Sequence, residues 1–420
     1  MPEVELVIDD EVEIVSESEI RDLQGLTRNG NLDSNNMVSH PDGSIWINTT
    51  EPKPGLLKSE DRGRTWSWVP VNFLELSRQQ TIAGMFFTKD GAMWLVHSDV
   101  PVGPFDEMAD DAKAFVSRSS NQGETWETTH IDPAGFAPGY PEDPYTFIGI
   151  VGCHPNFIER PDGTVMFSAS MRYDDWGNFG HVDQSRPGPR DVMIRTKDNG
   201  RTWGDPTVVH QYATETAYAV DPKDPDHIIA ATRIQRDALP GEDSDRIKKE
   251  ITGVPLFLTD DHPMVKAGHP PNITSCYKNG MLIESMDGGR TFREIPDGLY
   301  GYSGYRWSMV WTDSNILILV SFAGQEVGEP QPDSITVGDR QVARVSLDGG
   351  RTWVDGTSSG TVSPNKAKKF TILPTLGIKN GYSSVVSATM QLGQNSFIST
   401  YRYKSDGILG AKFWHLENLP

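Results

Sequence analysis

Short apolar runs, each closed by a tight-turn signal, recur along the whole chain. Asn36-Met37-Val38 leads into Pro41-Asp42-Gly43 and then Ile45-Trp46-Ile47, and the same order returns as Asn156-Phe157-Ile158, Pro161-Asp162-Gly163 and Val165-Met166-Phe167. Runs of this length, with β-branched and aromatic residues and Gly/Pro/Asp punctuation, predict strands joined by hairpin turns. A third element then follows in each stretch and enters a fixed octapeptide. The five copies run 59–66, 119–126, 196–203, 285–292 and 346–353, with the shared pattern Ser/Thr-x-Asp/Asn-x-Gly-x-Thr-Trp/Phe. The chemistry suits a hairpin tip: the acid or amide accepts turn amides, the glycine supplies positive φ, and the aromatic packs back between strands.

The spacing of these turns sets the architecture. Their central residues, 61, 121, 198, 287 and 348, lie 60, 77, 89 and 61 positions apart. A mean of about 72 residues divides the chain into roughly six units. A sixth unit without the octapeptide runs from Gly381 through Ser383-Ser384-Val385-Val386 and Phe397 to Tyr401, ending at Phe413 to Leu416. The expected fold is all-β, a six-bladed β-propeller of four-stranded antiparallel blades in which radial repetition hides the sheet edges. Residues 1–420 then form a single domain, with an insertion at about 237–275 in the fourth blade and a shorter one at about 174–189 in the third. Such segments leave a propeller at its rims, where they either shape a cleft or merely elaborate the surface.

Composition narrows the partners. The 38 basic and 58 acidic residues leave a net charge of −20. This argues against nucleic acid and anionic membranes as general partners, while leaving room for a local arginine cluster that holds a small anion. Two cysteines, Cys153 and Cys276, cannot build a disulfide framework and read as buried thiols. No stretch reaches transmembrane length, and Met1-Pro2-Glu3-Val4-Glu5 lacks the order of a signal peptide. The expected location is cytoplasmic, or secreted if a leader is missing. Scattered histidines and the absence of phosphate-cradling loops predict neither metal nor cofactor.

The octapeptides resemble the Asp boxes of the sialidase superfamily, and the resemblance extends over nearly the whole chain. It implies a glycoside hydrolase whose site gathers at the axial ends of the blades. In the fourth unit, Thr214-Glu215-Thr216-Ala217-Tyr218-Ala219-Val220, a turn, and Ile228 to Arg233 resemble the family's Glu, strand, turn, strand and Arg. Glu215 thereby inherits the role of base for a nucleophilic tyrosine and Arg233 that of substrate clamp. A tyrosine titrates near 10, so an adjacent carboxylate must take its proton before it attacks an anomeric carbon. The alternative for this pair is a structural ion pair. Tyr382, in Gly381-Tyr382-Ser383-Ser384, resembles the nucleophile itself.

Other positions depart from the family. Register places Asp33 where a first arginine is expected, and Gly338 where a third is expected, with Arg340 two residues away. The resemblance assigns the acid/base role to the loop before the first octapeptide, where Glu51 stands. Glu51 and Asp33 could form a carboxylate pair in which one pKa is raised, or stay two solvated loop acids. His154, Arg172 and Arg306 are candidate contacts to sugar hydroxyls or a carboxylate, with Tyr173 and Trp307 as apolar platforms. Each could instead be a satisfied interior group. The expected activity is exo-cleavage of a terminal sugar from a carbohydrate substrate. A polysaccharide lyase using His154 and Tyr382, and a non-catalytic carbohydrate-binding propeller, are the alternatives.

Overall fold

A computed structural model of the chain describes residues 3–16, 34–49, 55–69, 71, 80–99, 113–131, 146–149, 156–173, 190–211, 213–236, 256–257, 272–273, 277–299, 307–323, 340–357, 360–373, 388–402 and 409–419. They form six antiparallel sheets, the blades of a six-bladed β-propeller, and two small two-stranded ribbons, Leu256–Phe257 with Asn272–Ile273 and Trp353–Val354 with Thr361–Val362. Blade one runs Ser34–Ser39, Ile45–Thr49, Gly55–Ser59 and Ser67–Val69, and blade two runs Gln80–Phe87, Met93–Asp99, Lys113–Ser119 and Glu127–Ile131. In blade three the first position is shared by Thr146–Gly149 and Phe157–Glu159, both paired to Val165–Tyr173, followed by Arg190–Thr196 and Gly204–Gln211. Blade four comprises Ala213–Val220, Ile228–Arg236, Tyr277–Ser285 and Arg293–Leu299, and blade five Ser308–Trp311, Leu317–Ala323, Arg340–Ser346 and Phe370–Leu373. Blade six has Thr389–Gln391, Ser396–Arg402 and Leu409–Glu417, and its fourth place is taken by Glu5–Val15 from the other end of the chain.

That last strand is the one element of the ring that the repeat pattern does not foretell. It pairs from Glu5 with Glu417 to Val15 with Leu409, so the first residues close the blade that the last residues build. Its acids meet bases of its partner strand: Lys412 Nζ bonds Glu11, which also accepts the Tyr401 hydroxyl from the next strand, and His415 bonds Asp9 at 2.8 Å and its own strand's Glu417 at 3.1 Å. The bond to Glu417, aided by Asp9, holds the His415 imidazole above its usual range. The strand reading for 383–386 in blade six falls outside the described residues, where the first described strand is Thr389–Gln391.

The first strands of successive blades touch one another in circular order around the axis. Between the blades lie six apolar clusters, one for every interface. Strand alternation explains how a blade serves two of them. In Met93–Asp99, Trp94 and Val96 point toward blade three while Met93 and Leu95 point toward blade one. Strands buried on both faces therefore read as continuous apolar runs. Trp46, Trp94, Trp307, Trp353 and Trp414 are all fully buried in these clusters.

The octapeptides form one recurring turn between third and fourth strands. In the first, Ser59 Oγ accepts the Gly63 amide at 2.8 Å while Asp61 accepts the Thr65 amide at 2.8 Å and the Thr65 hydroxyl at 2.6 Å. Asp198 and Thr202 repeat the pattern at 2.9 and 2.6 Å. The Thr65 hydroxyl and amide hold Asp61 down to about 2, and those of Thr202 do the same for Asp198. A carboxylate depressed in the folded state adds stability above its unfolded value, and that stability is lost as pH falls through the folded one. The second turn carries Asn121 instead, whose Nδ2 donates to Thr125 Oγ1 at 2.9 Å and which does not titrate. Asn121→Asp is expected to raise the Tm slightly at pH 7 and to steepen its fall between about pH 4 and pH 2. A Tm-against-pH profile that matches the parent's over that window would refute the account.

Candidate active site at the loop end of blade four

Strand register divides each blade into two ends. Val220 pairs with Ile228 and Ile228 with Ser285, so the first hairpin turn and the octapeptide share one end. Thr214 pairs with Arg233 and Arg233 with Gly280 at the other. Glu215 and Arg233 thus stand on adjacent strands at the end opposite the octapeptides. There Arg233 Nη1 lies 2.8 Å from Glu215 Oε2, with the two side chains only 3% and 5% exposed.

The backbone at Glu215 is unusual. Two residues, Glu215 and Thr216, bulge between the pairs Thr214–Arg233 and Ala217–Ala231, and Glu215 has φ of 56°. Among the described residues it is the one non-glycine residue on a first strand in the left-handed region. A β-bulge re-aims a side chain that regular pleating would send elsewhere. Its carbonyl accepts the indole N–H of Trp307 at 2.8 Å from blade five. The next residue, Thr216, donates its hydroxyl to Asp191 of blade three and shares a 2.8 Å contact with Thr232 Oγ1.

Around the axis at this level lies a layer of buried polar groups. Along its second strand each blade carries at least one: Asn48, His97, Ser168, Thr232, Ser321 and Thr400. Asn48 Nδ2 bonds across to the neighbouring blade, at the Ile82 carbonyl at 2.9 Å, and on the first strand Asn36 Nδ2 reaches Asn156 Oδ1 at 3.3 Å. His97 is pushed down to about 3 by burial and bonds Ser117 Oγ at 2.8 Å as a neutral imidazole. Buried polar groups satisfied in this way specify one arrangement of the strands.

The other candidates fare differently. Asp33, Glu51, His154, Arg306 and Tyr382 lie outside the described residues. Arg172 is described by its backbone, which pairs with Phe147 at the same end of blade three as Glu215 has in blade four. Trp307 is no sugar platform: it is fully buried in the cluster between blades four and five, with its N–H committed to Glu215. Sequence reading passed over Asp191 and Thr216. The only local sign of them is that Glu215 and Thr216 interrupt an otherwise alternating strand. Among the described residues no group of three or more His, Cys, Asp or Glu is placed to hold a metal, and no helix is long and apolar enough to cross a membrane.

No protein-family model matches the chain, and no curated protein matches it in sequence. Solved structures do resemble it. A Dyadobacter fermentans protein of unknown function is 15% identical at a TM-score of 0.57, over 98% of this chain and 99% of that one. A Hadza microbial sialidase is 16% identical at 0.57, over 93% of this chain and 66% of its own. An α-L-arabinanase of Penicillium chrysogenum, complexed with arabinobiose, is 12% identical at 0.54, over 97% and 98%. The likeness is one of fold: the chain shares its overall architecture, a six-bladed propeller, with these structures.

Proposed function

We propose that the protein is a sialidase-like glycoside hydrolase that removes a terminal sugar from a glycan. The observation that carries this reading is the buried Glu215–Arg233 pair, set on a left-handed bulge at the loop end of blade four. Regular strand geometry would serve a merely cohesive ion pair equally well. A backbone conformation that costs about 1–3 kcal/mol points to a side chain whose direction matters. Two of the structures that share the fold are described as a sialidase and an arabinanase, and both act on sugars.

In this mechanism Glu215 accepts the phenolic proton of Tyr382 as its oxygen forms a bond to the anomeric carbon. The bond from that carbon to the leaving oxygen breaks, and Glu51 or Asp33 supplies the proton that the leaving group needs. Water then releases the sugar from Tyr382 by the reverse transfers. Arg233 positions Glu215 and serves as the clamp for a carboxylate or hydroxyl of the sugar. His154, Arg172 and Arg306 are further substrate contacts. Because Asp33 replaces an arginine of the sialidase pattern, neutral sugars belong beside sialic acid among the substrates.

The test is fluorophore release from a panel of aryl glycosides, including α-sialoside and α-L-arabinofuranoside. At least one is expected to be cleaved, and Tyr382→Phe is expected to lower kcat by about 10³-fold. An unsaturated, ultraviolet-absorbing product would replace the proposal by a lyase. Ligand-dependent thermal stabilisation with neither product would replace it by a binding protein.

A further inference from the structure

We propose that Trp307 and Asp191 are positioning residues for Glu215, reaching it from the two blades that flank its own. The inference rests on the reading of Glu215 as the base. Regular pleating does not hold a glutamate at φ of 56°, since L-residues with a Cβ disfavour that region by roughly 1–2 kcal/mol. Two bonds from outside the blade do. On the C-terminal side of the Glu215 Cα, the carbonyl is drawn onto the Trp307 N–H at 2.8 Å, and Trp307 itself is fixed by complete burial. One residue on, the Thr216 hydroxyl gives its single proton to Asp191, so the 2.8 Å contact with Thr232 must be a donation from Thr232 to Thr216.

These bonds hold the chain just after the Glu215 Cα from opposite sides, while the ladder pair Thr214–Arg233 holds it just before. The Glu215 φ is set between those anchors, and in that conformation the Glu215 carboxylate lies against Arg233. Asp191 and Trp307 are both essentially inaccessible, at 1% and 0% exposure, so neither is a substrate contact. Their action runs through the orientation of the base, and a misaligned base loses turnover rather than affinity.

Trp307→Phe keeps a ring in the core and removes the N–H. Thr216→Val keeps the shape and removes the hydroxyl, and Thr216→Ser keeps the hydroxyl. On whichever aryl glycoside the parent cleaves, Trp307→Phe and Thr216→Val are expected to lower kcat about 10- to 100-fold with KM within twofold, and Thr216→Ser to restore most of it. Asp191→Leu, which removes the acceptor, should behave like Thr216→Val. Equal kcat in parent, Trp307→Phe and Thr216→Val would overturn the inference, as would losses shared equally by Thr216→Ser. A crystal structure of Trp307→Phe supplies a readout without turnover: Glu215 is expected to leave the left-handed region and its carboxylate to move beyond about 4 Å from Arg233, the outer limit of an ion pair, and an unchanged bulge would refute the claim. A parent inactive on every glycoside would sink the catalytic reading of Glu215, while that structure still decides whether Trp307 holds it.

Discussion

Arg233→Met is expected to destabilise the folded protein by about 3–5 kcal/mol, the usual result of removing one member of a buried ion pair. The cause is what remains behind. Glu215 keeps its place in the bulge because Trp307 and Thr216 hold the backbone there, and its carboxylate then faces an apolar thioether in a site from which water is nearly excluded. Glu215→Gln should cost less, since a neutral amide still accepts from the guanidinium. The double replacement Arg233→Met with Glu215→Leu should recover much of the loss, because well-packed apolar groups often match a buried pair in stability. Urea unfolding of these proteins together with the single variant Glu215→Leu measures the coupling. An Arg233→Met midpoint within error of the parent's would show that the pair is not buried as described. Activity need not follow stability: the double variant is expected to fold and to stay inactive.

The second large effect concerns the ends of the chain. Removing residues 1–16 is expected to abolish cooperative folding or to lower the Tm by more than about 15 °C. The loss has two parts. Blade six would be left with three strands and an open edge along Leu409–Glu417. Val4 would also leave the cluster between blades five and six, and Ile14 and Val15 the one between blades six and one. At about 1.5–3 kcal/mol for each buried side chain, those three alone approach the whole stability of an ordinary domain. Thermal unfolding followed by circular dichroism tests this, and a synthetic peptide of residues 3–16 added in trans should restore part of the Tm. A truncated protein melting within about 3 °C of the parent, a shift worth only a fraction of that burial, would refute a closing role for this strand.

The contrast between these elements shows what the chain makes legible. The octapeptide turns could be read because every bond that shapes them lies within eight residues, as Ser59, Asp61, Gly63 and Thr65 illustrate. The count of six blades follows from their spacing. The closing strand was not legible, because the register of Glu5–Val15 is set by a partner some 400 positions away and leaves no local trace beyond alternation. The site divides in the same manner. Glu215 and Arg233 stand out through a strand, turn and strand that are contiguous in sequence. Their supports, Asp191 and Trp307, come from other blades, and only the fold brings them to the adjacent residues Thr216 and Glu215. For Trp307 the local view misled outright, since a tryptophan near an arginine suggests a sugar platform where the structure has a buried donor.

The seam at blade six also sets how the molecule bears load. Glu5 and Glu417 are paired neighbours, so both ends of the chain leave the ring at the same corner. A force applied between them falls on the outermost hydrogen bonds first and passes inward one pair at a time, as in a zipper. The other five blades lie outside the path of the load, and the ring resists being pulled apart by its ends with the strength of single bonds taken in turn.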